Sequence, residues 1–277
     1  MPYLHTNGIR LAYQRQRSGR SDSGRSDEDT VLLIMGSAAA GYIWDMHQTP
    51  ALRRAGYATV TFDNRGIPPS AAPPGKYTLA DLVADTKGLI EELRLAPCRI
   101  VGTSLGSLIA QELAISEPHL VRSAVLMATR GRSDALRRAQ DAADRLLQES
   151  GITLPAKYRA VNSVLRMLSP ATLNDDTSVS TWLEIFELAG GGAESAAHGQ
   201  AWIDTHQDRR EDLSGIGAPC RVITFTDDVI TPPHLGAEVA DIIPDCDLVE
   251  ISGCGHLGHL ERPEAVNEAI VEFFEKH

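Results

Sequence analysis

Short, mostly apolar runs recur along the chain, each followed by a stretch of helical spacing: "TVLLIMG", "ATVTFD", "CRIVG", "SAVLMAT", "CRVITF" and "CDLVEIS". A strand without a polar face must be covered on both sides, and helices are what cover it. The helical stretches between them fit that role. "TLADLVADTKGLIEELRL" sets Leu79, Leu82, Val83, Leu89, Ile90 and Leu93 at near-helical intervals, and "SLIAQELAISEP" and "PEAVNEAIVEFFEKH" read the same way. The expectation is an α/β fold with a mostly parallel sheet. At the N-terminus we expect a strand pair with a long connection. The tandem "SGRSD" at 18–22 and 23–27 contains no apolar residue and reads as a flexible loop between the first two strands.

The rhythm stops between about 131 and 213. "DALRRAQDAADRLLQES", "YRAVNSVLRML" and "VSTWLEIFELA" are helical, punctuated by Pro155, Pro170 and the glycines at 190–192. Residues 1–130 and 214–277 are therefore expected to form one core, with 131–213 as a helical cap, or lid, over the strand ends where such sheets bind ligands.

Composition excludes several roles. A net charge of −11 repels a phosphate backbone, so no nucleic-acid partner is expected. No apolar stretch reaches the ~20 residues of a membrane helix, and "MPYLHTNGIRLAYQ" lacks a secretory pattern. Cys98, Cys220, Cys246 and Cys254 are scattered and read as reduced thiols. Together these suggest a cytoplasmic protein without nucleic-acid or membrane partners. Oligomeric state is open, a homo-oligomer included.

The motif that carries chemistry is Gly102-Thr103-Ser104-Leu105-Gly106, which ends one predicted strand and opens the next helix. A sharp strand-to-helix turn exposes the serine hydroxyl, and the flanking glycines let helix and strand approach. A serine hydroxyl needs a base, and the base needs an orienting acid. In chain order the acid and then the histidine follow the serine. "TFTDDVITPP" and "GCGH" each follow a strand and supply both, with Asp227 and Asp228 as candidate acids and His256 as the base. His259 and Cys254 lie close enough in sequence to raise a metal site. Gly253 and Gly255 make a tight loop rather than a helix that would align the ligands, and a triad needs one base, so no metal is expected.

"TFDNRG", "IAQELA", "VLMATRGR", "DDVITPP" and "GHLGHLERPEAVN" resemble the α/β-hydrolase superfamily, and more narrowly the metal-free, non-haem bromoperoxidase and chloroperoxidase-like serine hydrolases of actinobacteria. The resemblance implies an eight-stranded-type sheet, a Ser-Asp-His triad and no cofactor. Its Asp-x-x-x-Pro pattern fits Asp228 with Pro232 and not Asp227. It places the oxyanion donors at the Leu105 amide and at Ser37, where relatives often read His-Gly-x and this chain reads Met35-Gly36-Ser37. The change to Met35 leaves open how that loop is braced. His259 is expected to steady the loop, and Asp63 and Arg65 to brace their neighbours.

The expected chemistry is hydrolysis of an ester, lactone or thioester through an acyl-enzyme, with perhydrolysis as a side activity. Trp44, Met127, Trp182, Phe186 and Trp202 are candidates to line an apolar pocket for a small, moderately hydrophobic substrate. No cluster of basic residues marks a coenzyme A or phosphate site. Two alternatives fit the same residues: a non-hydrolytic cyclase or lyase on the same fold, and a hydrolase-like ligand-binding protein.

Overall fold

The computed structural model describes residues 1–18, 29–189 and 197–277. Eight strands form one sheet: β1 (Tyr3–Thr6), β2 (Ile9–Gln16), β3 (Thr30–Ile34), β4 (Ala58–Phe62), β5 (Cys98–Thr103), β6 (Val121–Met127), β7 (Cys220–Phe225) and β8 (Cys246–Ile251). Their order is β1-β2-β4-β3-β5-β6-β7-β8. β1 and β2 run antiparallel, and every pairing from β4 to β8 is parallel. The apolar runs behave as predicted: β3, β4, β5 and β7 are buried along their whole length. β8 is an edge strand with exposed Asp247, Leu248 and Glu250.

The N-terminal pair corrects one expectation. β1 and β2 are joined by a tight turn at Asn7 and Gly8, both at positive φ (46° and 74°). Asn-Gly is a strong hairpin signal, because both residues tolerate that backbone. The "SGRSD" repeat therefore follows β2 rather than β1, and residues 19–28 lie outside the described residues.

Helices cover both faces. α2 (Leu79–Glu92) and α3 (Leu105–Ser116) pack on one face with Leu32, Ile100 and Leu126. α1 (Gln48–Arg54) and the C-terminal helix pack on the other with Leu33, Val101 and Phe225. Thr78 and Asp81 close a reciprocal capping box at the start of α2. All four cysteines are free.

Between β6 and β7 the chain is helical: α4 (Ala135–Glu149), α5 (Ala156–Met167), α6 (Pro170–Leu173), α7 (Asp176–Ala189) and the short α8 (Arg210–Leu213). No strand interrupts them among the described residues. α9 (Pro233–Ile242), α10 (Gly258–Glu261) and α11 (Pro263–Lys276) complete the chain.

α3 crosses very close to the sheet. A Cβ on Gly106 would stand 2.1 Å from the Ile34 carbonyl oxygen, and one on Gly102 would stand 2.4 Å from that of Gly106. Both obstacles are backbone, which cannot swing aside. Gly106→Ala is therefore expected to cost at least about 2 kcal/mol, read as a lower urea midpoint. An unchanged midpoint would show that α3 can slide off the strand.

Candidate active site

Ser104 is the residue on the bend between β5 and α3. Its φ of 52° and ψ of −118° lie outside helix and strand. Such strain persists only where neighbours enforce it. Here the Ser104 amide donates to the Met127 carbonyl (3.0 Å), and the Ser104 carbonyl accepts from the amides of Ser107 (3.0 Å) and Leu108 (3.3 Å). The bend projects the hydroxyl at the N-terminus of α3, where the helix dipole favours negative charge.

The loop after β3 runs beside it. A Cβ on Gly36 would lie 3.3 Å from the Ser104 Cβ. The amides of Ser37 and Leu105 donate to no protein acceptor among the described residues. Bracing comes from three sources. Asn64 Nδ2 donates to the Met35 carbonyl (3.2 Å), and the Gly41 amide donates to Asp63 (2.7 Å). Gln200, from the helical insertion, accepts from the Ala38 amide (2.9 Å) and the Ser37 hydroxyl (3.3 Å), while its amide donates to the Arg65 carbonyl (2.8 Å). Arg65 itself forms a bidentate pair with Asp85 (2.5 and 2.6 Å). Asp63 and Arg65 thus act as braces, as expected, and Gln200 is a brace that no motif announces.

The loops after β7 and β8 meet at a second pair. His256 Nδ1 donates to Asp228 Oδ2 at 2.8 Å. The same oxygen accepts from the Thr231 hydroxyl (2.6 Å), and Oδ1 accepts from the amides of Ile230 and Thr231 (2.8 Å each). Burial pushes the Asp228 carboxyl up, but its pairing with His256 and these hydrogen bonds outweigh it and hold the carboxyl below its ordinary range. An ionised carboxylate can only accept, so Nδ1 carries the proton and Nε2 is the basic nitrogen. Among the described residues the neighbouring Asp227 bonds to the Cys254 carbonyl alone, and through its backbone amide (3.0 Å). Ser104 Oγ makes no hydrogen bond to His256 here. Such contacts are often long without substrate.

Glu261 ties the histidine loop to the helical insertion. It accepts from the Gly255 amide (2.6 Å) with one oxygen, and from the Ser169 amide (3.0 Å), the Ser169 hydroxyl (2.8 Å) and the Thr172 hydroxyl (2.5 Å) with the other.

A cavity of about 220 Å³ opens at Ser104, Leu105 and Ser37. Its other walls come from Arg130, from Arg137 and Arg145 of α4, and from Gln200, Ala201, Ile203 and Thr205.

The chain matches the Alpha/beta hydrolase family over residues 31–269. It belongs to the α/β-hydrolase family. It is 44% identical over 266 residues to a Mycobacterium tuberculosis (H37Rv) protein that bears a non-heme bromoperoxidase name, BpoC, covering 96% of this chain and 98% of that one. The crystal structure of that protein superposes with a TM-score of 0.89 at 43% identity, over 96% of each chain. An enol-lactonase from Burkholderia xenovorans LB400 shares the fold, with a TM-score of 0.80 at 24% identity over 99% of this chain and 100% of that one. The protein is thus an α/β-hydrolase of bromoperoxidase type and an enzyme of the hydrolase class. No helix among the described residues is long and apolar enough to cross a membrane.

In this α/β-hydrolase the five residues expected to line an apolar pocket do not line the Ser104 cavity. Trp44 and Met127 are 0% exposed and belong to the core beneath the sheet. Trp182 and Phe186 stack on each other within α7 (5.9 Å). Trp202 lies under the Lys76 ammonium (3.7 Å) and faces a different cavity. Arg130 and the α4 residues Arg137 and Arg145, neighbours in sequence, meet in the wall of the Ser104 cavity, a basic group that no motif singles out.

His259 steadies the loop from within. It is buried against Trp44 (ring centroids 5.2 Å), and its carbonyl accepts from Gln48 Nε2 (2.8 Å). Neither ring nitrogen has a hydrogen-bond partner among the described residues. Burial, helped by His256 and His47, pushes its pKa from 6.5 down to about 3. The folded ring stays neutral while the unfolded one protonates below 6.5, so stability is lost as pH falls from 6.5 toward 3. His259→Leu is expected to flatten that acid slope, read by urea unfolding at pH 7, 5.5 and 4.5. An unchanged slope would place the titration elsewhere. Among the described residues no cluster of three His, Cys, Asp or Glu side chains could hold a metal.

Proposed function

We propose that this α/β-hydrolase cleaves a small ester, lactone or thioester through an acyl-enzyme on Ser104. The observation that carries this reading is the 2.8 Å pair of His256 and Asp228 on the same edge of the sheet as the strained Ser104. In the first step Ser104 Oγ attacks the carbonyl carbon while His256 Nε2 takes its proton. Asp228 holds the imidazole tautomer and stabilises the imidazolium. The unengaged amides of Ser37 and Leu105 receive the developing oxyanion, a donor worth roughly 3–4 kcal/mol each in such sites. His256 then protonates the leaving group, and water, activated by the same histidine, releases the acid.

The likeness to a bromoperoxidase-named protein supports hydrogen peroxide as a second acyl acceptor. Peroxide would take the place of water and leave as a peracid. The helices of 131–213 serve, on this reading, as a lid that shapes the acyl site. Its polar walls favour a small polar acyl group over the moderately hydrophobic one expected from sequence.

A fluorophosphonate probe tests the reading. We expect one covalent adduct on the peptide carrying Ser104, abolished in His256→Ala. No adduct on the folded protein would overturn the acyl-enzyme. A panel of 4-nitrophenyl esters, lactones and acyl thioesters would then rank the substrate classes.

A further inference from the structure

Five arginines are buried among the described residues: Arg65, Arg99, Arg130, Arg209 and Arg221. Four of them pair with a carboxylate: Asp85, Asp29, Glu112 and Asp247 respectively. Arg130 pairs with none among the described residues. It is 5% exposed, and its Nη2 donates to the neutral Thr205 hydroxyl (2.8 Å), while its Nε has no acceptor among the described residues. A buried charge without a partner is costly, and proteins normally pair it.

Burial pulls the Arg130 pKa down to about 10, with Arg137 adding to the fall and Asp141, Asp228 and Asp134 opposing it. The guanidinium is therefore a cation at neutral pH. It lines the same cavity as Ser104, Ser37 and Leu105. The acidic side chains of that cavity each lie in an ion pair, with Asp141 Oδ2 left without a hydrogen-bond partner among the described residues. Asp141 pairs with Arg137 (2.7 Å), and Asp144 pairs with Arg166 (3.2 Å). Arg145 also lines the wall and makes no ion pair among the described residues. The cavity thus presents uncompensated positive charge beside the nucleophile, in a protein of net charge −11. At about 220 Å³ it is smaller than the roughly 300–1,000 Å³ of drug-sized sites.

We propose that Arg130 anchors a carboxylate of the substrate, so that the enzyme acts on small acyl compounds that carry a negative charge near the scissile carbonyl. Arg145 adds long-range attraction. This rests on the acyl-enzyme reading of Ser104. A guanidinium presents paired N–H donors to a carboxylate, and such charge-assisted bonds are roughly twice as strong as neutral ones. The anchor also gives the substrate a fixed orientation beside Ser104.

Two esters of matched shape test it: 4-nitrophenyl hydrogen adipate, which is an anion, and its neutral methyl ester. The wild type should prefer the anion by about 30-fold or more in kcat/KM, the low end for a buried hydrogen-bonded charge pair. Arg130→Gln should bring that ratio toward one, mainly through KM, and Arg130→Lys should restore part of it. An equal preference in the wild type, or a preference that survives Arg130→Gln, overturns the proposal. Binding is read separately by titrating glutarate and dimethyl glutarate into the Ser104→Ala protein. Glutarate should bind and the diester should not. If neither ester is turned over while glutarate still binds through Arg130, the acyl-enzyme reading fails and the anion site stands. Turnover of both esters at equal rates refutes the anion site and leaves the acyl-enzyme standing. The wild-type comparison and the glutarate titration need no Arg130 variant, so a variant that fails to fold leaves the proposal open to refutation.

Discussion

Ser104→Ala is expected to lower kcat for a good ester substrate by about 10⁵–10⁶-fold, the scale seen when the nucleophile of a serine enzyme is removed. The loss should be confined to chemistry. Ser104 Oγ is bound to neither Asp228 nor His256 in this structure, so its removal leaves their 2.8 Å pair in place. The positive φ of the bend is enforced by backbone bonds to Met127, Ser107 and Leu108, none of which involves the Ser104 side chain. The variant should therefore fold, keep a wild-type melting curve and still bind ligands. If more than half the esterase activity remained, the nucleophile would have to be sought elsewhere.

Asp228→Asn should cost about 10⁴-fold, the scale for a triad aspartate whose loss leaves the histidine in the wrong tautomer. The carboxylate accepts four hydrogen bonds, from two amides, one hydroxyl and the imidazole. A carboxamide has one accepting oxygen, so one side of the site would face donor with donor. If the carboxamide oxygen keeps the two amides, its NH₂ faces His256 and turns the ring's lone pair to Nδ1. Asp227→Asn leaves this network untouched and should change kcat by less than about 3-fold. The reverse ranking would mean the acid is off by one position. Stability follows the same carboxylate. Its folded pKa is depressed, so its contribution is present above the ordinary carboxylate value and is lost as pH falls through the lowered one. Asp228→Asn should remove that part of the acid sensitivity.

What can be read from the sequence is whatever a local pattern encodes. The runs "CRIVG" and "CRVITF", short, apolar and β-branched, read as buried strands and are, and Gly102 and Gly106 around Ser104 mark a contact only glycine permits. The Asn7-Gly8 turn is equally legible, but the more conspicuous repeat that follows β2 outweighs its signal. The cavity walls are not legible. Apolar bulk points to Trp44 and Met127 as ligand-facing when the same property sends them to the core. Arg130 and Arg145 look like ordinary surface charges in sequence, and their shared direction is set by how α4 lies across the strand ends. Gln200 and Glu261 escape for a related reason. Their partners are Ala38 and Ser169, distant in the chain, and no short motif records such a bond.

Glu261 is a single carboxylate shared by two parts of the molecule: one oxygen serves the His256 loop, the other serves Ser169 and Thr172 at the start of α6. Lifting α6 away strips acceptors from Ser169 and Thr172 and gives that carboxylate back to solvent, where it can turn and let go of Gly255. One side chain therefore holds both segments, and Glu261→Ala would release the Gly255 amide and the start of α6 together.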